Sequence, residues 1–189
     1  MKHYLFLILL TLPLFSSAQT ETQIRTHYQD INKKITESKE NGYEGSLYCN
    51  EWITNKNGKS WTAVGNYTET TEFWYSDDPS HPSVESNKLQ VLQKINVLRK
   101  AASLTTHEEY LFLKGKLVFF FSSEGEEGNL WETRIYFNTK GMFKSIVKAN
   151  GTELSAKDFL KEEYKDFKPA PAGVLAESKR LQDVFLKSM

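Results

Sequence analysis

Residues 109–121 read EYLFLKGKLVFFF and residues 131–148 read WETRIYFNTKGMFKSIVK, with a Ser/Glu/Gly stretch between them. Each segment is an aromatic run, a Lys-Gly pair and a second apolar run. That is the pattern of a β-hairpin: glycine supplies the positive φ of a tight turn, and β-branched and aromatic side chains fit a pleated surface. The two segments align without a gap at an offset of 26 residues, Tyr110 on Tyr136, Lys114 on Lys140, Gly115 on Gly141 and Leu117 on Phe143. A solenoid needs about three units, so these are read as successive hairpins of one meander. In the third strand Trp131, Thr133, Ile135 and Phe137 fall on one side and Glu132, Arg134 and Tyr136 on the other, as in a half-buried strand. Phe119-Phe120-Phe121 breaks the alternation, which requires cover on both faces or strong curvature and marks a central strand.

Upstream, residues Lys88–Ala102 fit two periods. Val91, Leu92, Ile95, Leu98 and Ala102 make a helical stripe, while Leu89, Val91, Ile95 and Val97 set against Gln90, Lys94 and Asn96 favour a strand. Strands on both sides, and the Val and Ile content, decide for strand. Tyr43–Ile53 reads as a strand, followed by Asn57-Gly58 as a hairpin turn; Ser60–Tyr67 and Thr70–Ser76 read as two further strands or as one long strand bent at Gly65. Two prolines make Asp77–Ser83 an exposed loop. Thr20–Ser38 reads as a helix: Thr20 and Gln23 match a capping box, Ile24, Tyr28, Ile31 and Ile35 share a face, and Asn41-Gly42 ends it.

Downstream, Ser155 caps a helix to about Phe167, with Phe159, Leu160 and Tyr164 on one side. Pro169–Gly173 is a stiff linker. A last helix, Val174–Lys187, turns Val174, Leu175, Ser178, Leu181 and Phe185 inward. The fold class is therefore α+β: a curved antiparallel meander of about seven strands, flanked by an N-terminal helix and two C-terminal helices.

Residues 1–18 stand apart. Lys2 and His3 precede an apolar run from Leu5 to Phe15, and Ser16-Ser17-Ala18 places small residues where a signal peptidase cleaves. The run falls short of the ~20 residues of a membrane span. A cleaved signal peptide is expected, leaving residues 19–189 as one domain, soluble and periplasmic or extracellular, with no integral membrane segment. No cysteine follows the run, so no lipid attachment is expected. The chain carries 24 basic and 24 acidic residues, which gives no footprint for nucleic acid. Cys49 is the only cysteine, so no internal disulfide is possible, and it reads as a small buried hydrophobe.

Phosphate loops, dinucleotide fingerprints, His-Glu-x-x-His and Gly-x-Ser-x-Gly are missing from the sequence, and no cofactor is expected. Asp77, Asp78 and His81 are the better of two potential metal sets, yet Asp-Asp-Pro-Ser is ordinary turn chemistry. His107, Glu108 and Glu109 are consecutive and diverge in a strand. No metal site is therefore expected. The aromatic content is the remaining signal. Trp52, Trp61, Trp74 and Trp131 all fall in expected strands, and tryptophan and tyrosine line binding surfaces as well as cores. Trp74, Arg134 and Tyr136 are candidate ligand-binding residues, joined by Tyr110, the counterpart of Tyr136, and Glu109.

The signal ending Ser16-Ser17-Ala18-Gln19 and the paired Tyr-Leu-Phe and Tyr-Phe hairpins resemble small exported proteins of unknown function from the Bacteroidetes. The resemblance covers the leader and about 40 central residues, and implies export without an activity to carry over. The expected function is a non-catalytic binding module for a protein, a small apolar ligand or a glycan. The alternatives are a cell-envelope hydrolase using carboxylates such as Glu109 and Glu132, and an assembly protein that pairs through a sheet edge.

Overall fold

The computed structural model describes residues 20–62, 65–76, 91–126 and 128–188. The leader and the Asp77–Ser83 loop, with its potential metal set, lie outside these residues. The first helix, α1 (Glu21–Glu40), starts as its sequence dictates. Thr20 Oγ1 accepts from the Gln23 amide, and the Gln23 side chain accepts from the Thr20 amide, so the box satisfies two N–H groups that the helix start leaves free. Ile24, Ile31 and Ile35 are buried.

Strands follow: β1 (Tyr48–Thr54), β2 (Ser60–Trp61), β3 (Gly65–Tyr75), β4 (Leu92–Ala101), β5 (Leu104–Leu113), β6 (Lys116–Glu126), β7 (Asn129–Asn138), β8 (Gly141–Ala149) and β9 (Thr152–Glu153). They form one antiparallel sheet in the order β1-β3-β4-β5-β6-β7-β8-β9, with β2 paired to β3. There are nine strands rather than about seven, seven of them long and β2 and β9 two-residue pairs; β2 begins the segment expected as Ser60–Tyr67, whose residues 65–67 run on with the expected Thr70–Ser76 strand as β3. Over residues 92–101 the ambiguous segment is a strand, as its neighbours dictate.

A second helix, α2 (Pro171–Ser188), closes the described chain. Phe73, Ile95, Tyr110, Phe120, Ile135 and Phe137 pack with Leu181 and Phe185 of α2. Trp74, Leu111, Phe119 and Tyr136 pack with the isoleucines of α1. Neighbours along a strand, such as Phe73 and Trp74 or Ile135 and Tyr136, enter different cores, so the helices cover opposite faces of the sheet. The interior strand β6 needs this double cover, and the Phe119–Phe121 run meets it. Among the described residues no helix is long and apolar enough to cross a membrane.

Five expectations are corrected. The helix expected over Ser155–Phe167 is two 3-10 turns, Asp158–Leu160 and Lys165–Phe167; two C-terminal helices become one. Asp158 Oδ2 accepts from both the amide and the hydroxyl of Ser155, as at a helix start, but Lys161 is extended (ψ 143°) and ends the turn after one i→i+3 round, and Leu160 is exposed rather than inward. The strand expected from Tyr43 begins only at Tyr48, because Gly42 and Tyr43 both have positive φ. Asn57-Gly58 does not close a β1–β2 hairpin: both strands run antiparallel to β3, so Asn55–Lys59 bulges out of one edge. Asn55 Nδ2 spans the gap, donating to Lys59 O and Tyr67 O at 2.8 and 2.6 Å. Leu175 of α2 is exposed. Finally, β7 is not half-buried. Ile135 and Phe137 are buried on one face and Tyr136 on the other.

The sequence repeat is not a geometric one. Lys114-Gly115 forms the turn of the first hairpin, closed by Leu113 and Lys116, whereas Asn138 pairs with Gly141 in the second. Tyr110 lies opposite Phe120 and faces α2, while its counterpart Tyr136 lies opposite Phe119 and faces α1.

Candidate functional site

Register arranges the α1 face into rows. Trp74, Lys94, Leu111, Phe119 and Tyr136 stand directly opposite one another across β3 to β7, and α1 lies on this row. The next row is Glu72, Asn96, Glu109, Phe121 and Arg134, where polar groups emerge at the foot of the helix. Beyond it Thr70, Leu98, His107, Ser123 and Glu132 form a third row. Arg25, Tyr28, Asn32 and Lys39 of α1 meet residues of the first two rows.

Lys94 and Glu109 form the centre. Lys94 is 2% exposed. Its Nζ donates to Asn32 Oδ1 at 2.6 Å and pairs with Glu109 Oε2 at 2.8 Å, while lying 4.8 Å from the centre of the Tyr28 ring. Burial holds the ammonium below its usual range, against the pull of Glu109. Tyr28 Oη donates to the same carboxylate at 2.6 Å, and burial followed by that bond pushes its pKa up. His107 Nε2 stands 3.5 Å from Glu109 Oε1.

On the β3 side of this centre lies a groove of about 500 Å³, walled by Lys39, Thr70, Glu72, Asn96, Leu98 and His107. Glu72 accepts from Lys39 Nζ (2.6 Å), Trp74 Nε1 (3.0 Å) and Asn96 Nδ2 (3.1 Å). Burial pushes its carboxyl up, but those three donors outweigh it and hold the pKa below the usual value. Asn96 Oδ1, by contrast, is buried and has no hydrogen-bond partner among the described residues. On the β7 side Ile24, Arg25, Tyr28, Phe121, Arg134 and Tyr136 line a cavity of about 150 Å³.

Of the sequence candidates, Glu109, Arg134, Tyr136 and Trp74 share the α1 face. Arg134 and Tyr136 line the smaller cavity, while Trp74 is fully buried under Tyr43 and Lys39. Tyr110 is on the other face, its hydroxyl donating to Glu108 at 2.8 Å. Glu109 and Glu132 are matched to Lys94 and Arg134 respectively rather than to one another. His107 and Glu109 stand on one face and Glu108 on the other, where it pairs with Arg99 at 2.9 Å. Among the described residues no group of three or more His, Cys, Asp or Glu is placed to hold a metal ion. Burial pushes the Cys49 thiol up to about 12, so it stays protonated at neutral pH and is a poor nucleophile.

Sequence reasoning did not bring Asn96 and His107 together in the groove, nor Arg25 and Tyr28 in the smaller cavity, with Lys94 between them. Only the polar alternation of Lys94 and Asn96 within an apolar strand signalled it. Set against protein-family models, curated proteins and solved structures, the chain matches none.

Proposed function

We propose that this is an exported, non-catalytic binding module that takes a small hydroxyl-rich ligand, of the glycan class, in the groove beside α1. One observation carries the reading: Asn96 lines the groove, and its buried Oδ1 has no hydrogen-bond partner among the described residues. Leaving such an atom unpaired costs about 1–3 kcal/mol, and a ligand hydroxyl is the donor it lacks. The groove volume of about 500 Å³ lies within the roughly 300–1,000 Å³ range of small-molecule sites. Leu98 and the His107 ring offer apolar surface, while Lys39 and Glu72 supply a donor and an acceptor at the rim.

The test is an NMR titration with neutral mono- and disaccharides. Shifts at the Asn96 side-chain amide and at His107, abolished in Leu98→Trp with the melting temperature retained, are expected. A panel that moves neither residue, or binding that survives the filled groove, rejects the reading.

A second reading, assembly through a sheet edge, is supported by the exposure of Tyr48, Trp52 and Trp61 along β1 and β2. Sedimentation would detect it as a self-associating species that Trp52→Lys returns to monomer. A monomer at all concentrations counts against self-pairing.

A further inference from the structure

We propose that the cavity between α1 and strands β6 and β7 is a second binding site, for a small aromatic monocarboxylate. It lies apart from the groove proposed above: the Lys94–Glu109–Tyr28 cluster stands between them, and no residue lines both. Ile24, Tyr28, Phe119, Phe121 and Tyr136 provide apolar walls around about 150 Å³. An apolar cavity of that size holds one benzene ring.

Two cations converge on those walls. The Arg134 guanidinium lies 5.0 Å from the Phe121 ring centre and the Arg25 guanidinium 5.9 Å from that of Tyr136. Arg134 is tied to Glu132 by long contacts of 3.2 and 3.4 Å, which leaves most of its five N–H donors for another acceptor. The Tyr136 ring is buried, while its hydroxyl bonds to no described residue and is not among the buried unpartnered polar atoms, so it stays open to a ligand. Burial keeps that hydroxyl protonated and hence a donor.

Charge sets the valence of the ligand. In the ion pairs at this end of α1, Arg25 and Lys144 share the carboxylate of Glu21, and Arg134 pairs with Glu132, three cations to two anions. One negative charge neutralises the remainder, and a dianion overshoots it. A planar carboxylate also matches the guanidinium fork of Arg134. Its ring would lie among the aromatic walls, with the carboxylate between Arg134 and the Tyr136 hydroxyl.

Sodium benzoate and the neutral isostere benzamide are the probes, titrated into the protein and followed by amide and side-chain NMR shifts. Benzoate is expected to move Arg25, Phe121, Arg134 and Tyr136, and to bind about tenfold more tightly than benzamide, as a charge-assisted pair requires. Arg134→Gln, a half-exposed change, should remove that preference with the melting temperature held. Tyr136→Phe keeps the ring and should weaken benzoate about threefold through the lost donor. The proposal is overturned if benzoate produces no shift up to about 20 mM, if benzamide binds equally well, or if the affected residues are Leu98 and His107. Should Arg134→Gln unfold, the Tyr136→Phe result decides alone. The saccharide titration probes the other groove, so either site can fail without the other.

Discussion

Lys94 and Glu109 face each other in a place where two apolar side chains would meet no desolvation cost. Burying both charges is repaid only because Asn32, Tyr28 and the pair itself satisfy them. Lys94→Met should therefore be severe, lowering stability by about 3–5 kcal/mol because Glu109 is left buried without its cation. Lys94→Met combined with Glu109→Leu should recover most of that loss, and urea midpoints of the single and double variants measure it. A double variant no better than the single would mean that the pair contributes more than mutual neutralisation. Two tyrosines, Tyr28 of this cluster and Tyr110 on the opposite face, set an alkaline limit. Tyr28 and Tyr110 have pKa values raised above the ordinary 10.0, first by burial and then by Glu109 and Glu108. Their neutral forms are favoured in the folded state. The stability they contribute is complete below about pH 10 and is lost as pH rises beyond it. Lys94, held below its usual 10.5, acts in the opposite sense: stability rises as pH climbs through its folded value towards 10.5. The tyrosine share is thus read as a difference: Tyr28→Phe should flatten the fall of the urea midpoint above pH 10, and an unchanged slope would show that Tyr28 ionises alike in both states.

At the level of elements, legibility followed local chemistry. α1 was readable because its cap, stripe and stop lie within the helix itself: Thr20 with Gln23, the isoleucines, then Asn41 and Gly42. Segment 92–101 carries both periods and is settled by pairing with β3 and β5, which no local rule contains. The Ser155–Phe167 segment shows the converse. Its helical spacing and its Ser155–Asp158 start are real, but Lys161 is extended, and Trp131 stacks flat on Phe167 at 3.5 Å with Tyr164 edge-on. Long-range stacking holds a shape that intrinsic propensity does not. Arg134 and Glu109 were identifiable as polar residues on strands, whereas their convergence with Arg25, Tyr28 and Lys39 depends on where α1 crosses the sheet. Thr20→Ala should cost about 1 kcal/mol and, by loosening the end of α1 that carries Arg25, weaken benzoate more than saccharide. Trp131→Ala should remove about 0.5–1.5 kcal/mol of stacking and accelerate hydrogen exchange across residues 155–168 while sparing α2; protection that persists there would assign the order to the turn itself.

Across the whole molecule, one sheet serves two cores. The interior strands present apolar side chains to both helices: on β6, Phe119 enters the α1 core and Phe120 the α2 core. Losing either helix exposes one side of strands whose other side is still packed, so the two faces should not unfold independently. Phe185→Ala removes a fully buried ring from the α2 core and should cost about 3–5 kcal/mol. Ile31→Ala in the α1 core should cost about 2–5 kcal/mol. Trp74 reports the α1 face and Trp131 the α2 side, once Trp52 and Trp61 are replaced by Phe and each reporter is kept alone. A shared sheet requires that in each single-tryptophan protein the fluorescence and far-ultraviolet circular dichroism midpoints coincide, and that each core variant lowers stability by the same amount whichever reporter is read. If Phe185→Ala moves the Trp131 transition and leaves Trp74 in place, the sheet is not the cooperative unit. The α1 face would then be a separately stable platform for both binding pockets.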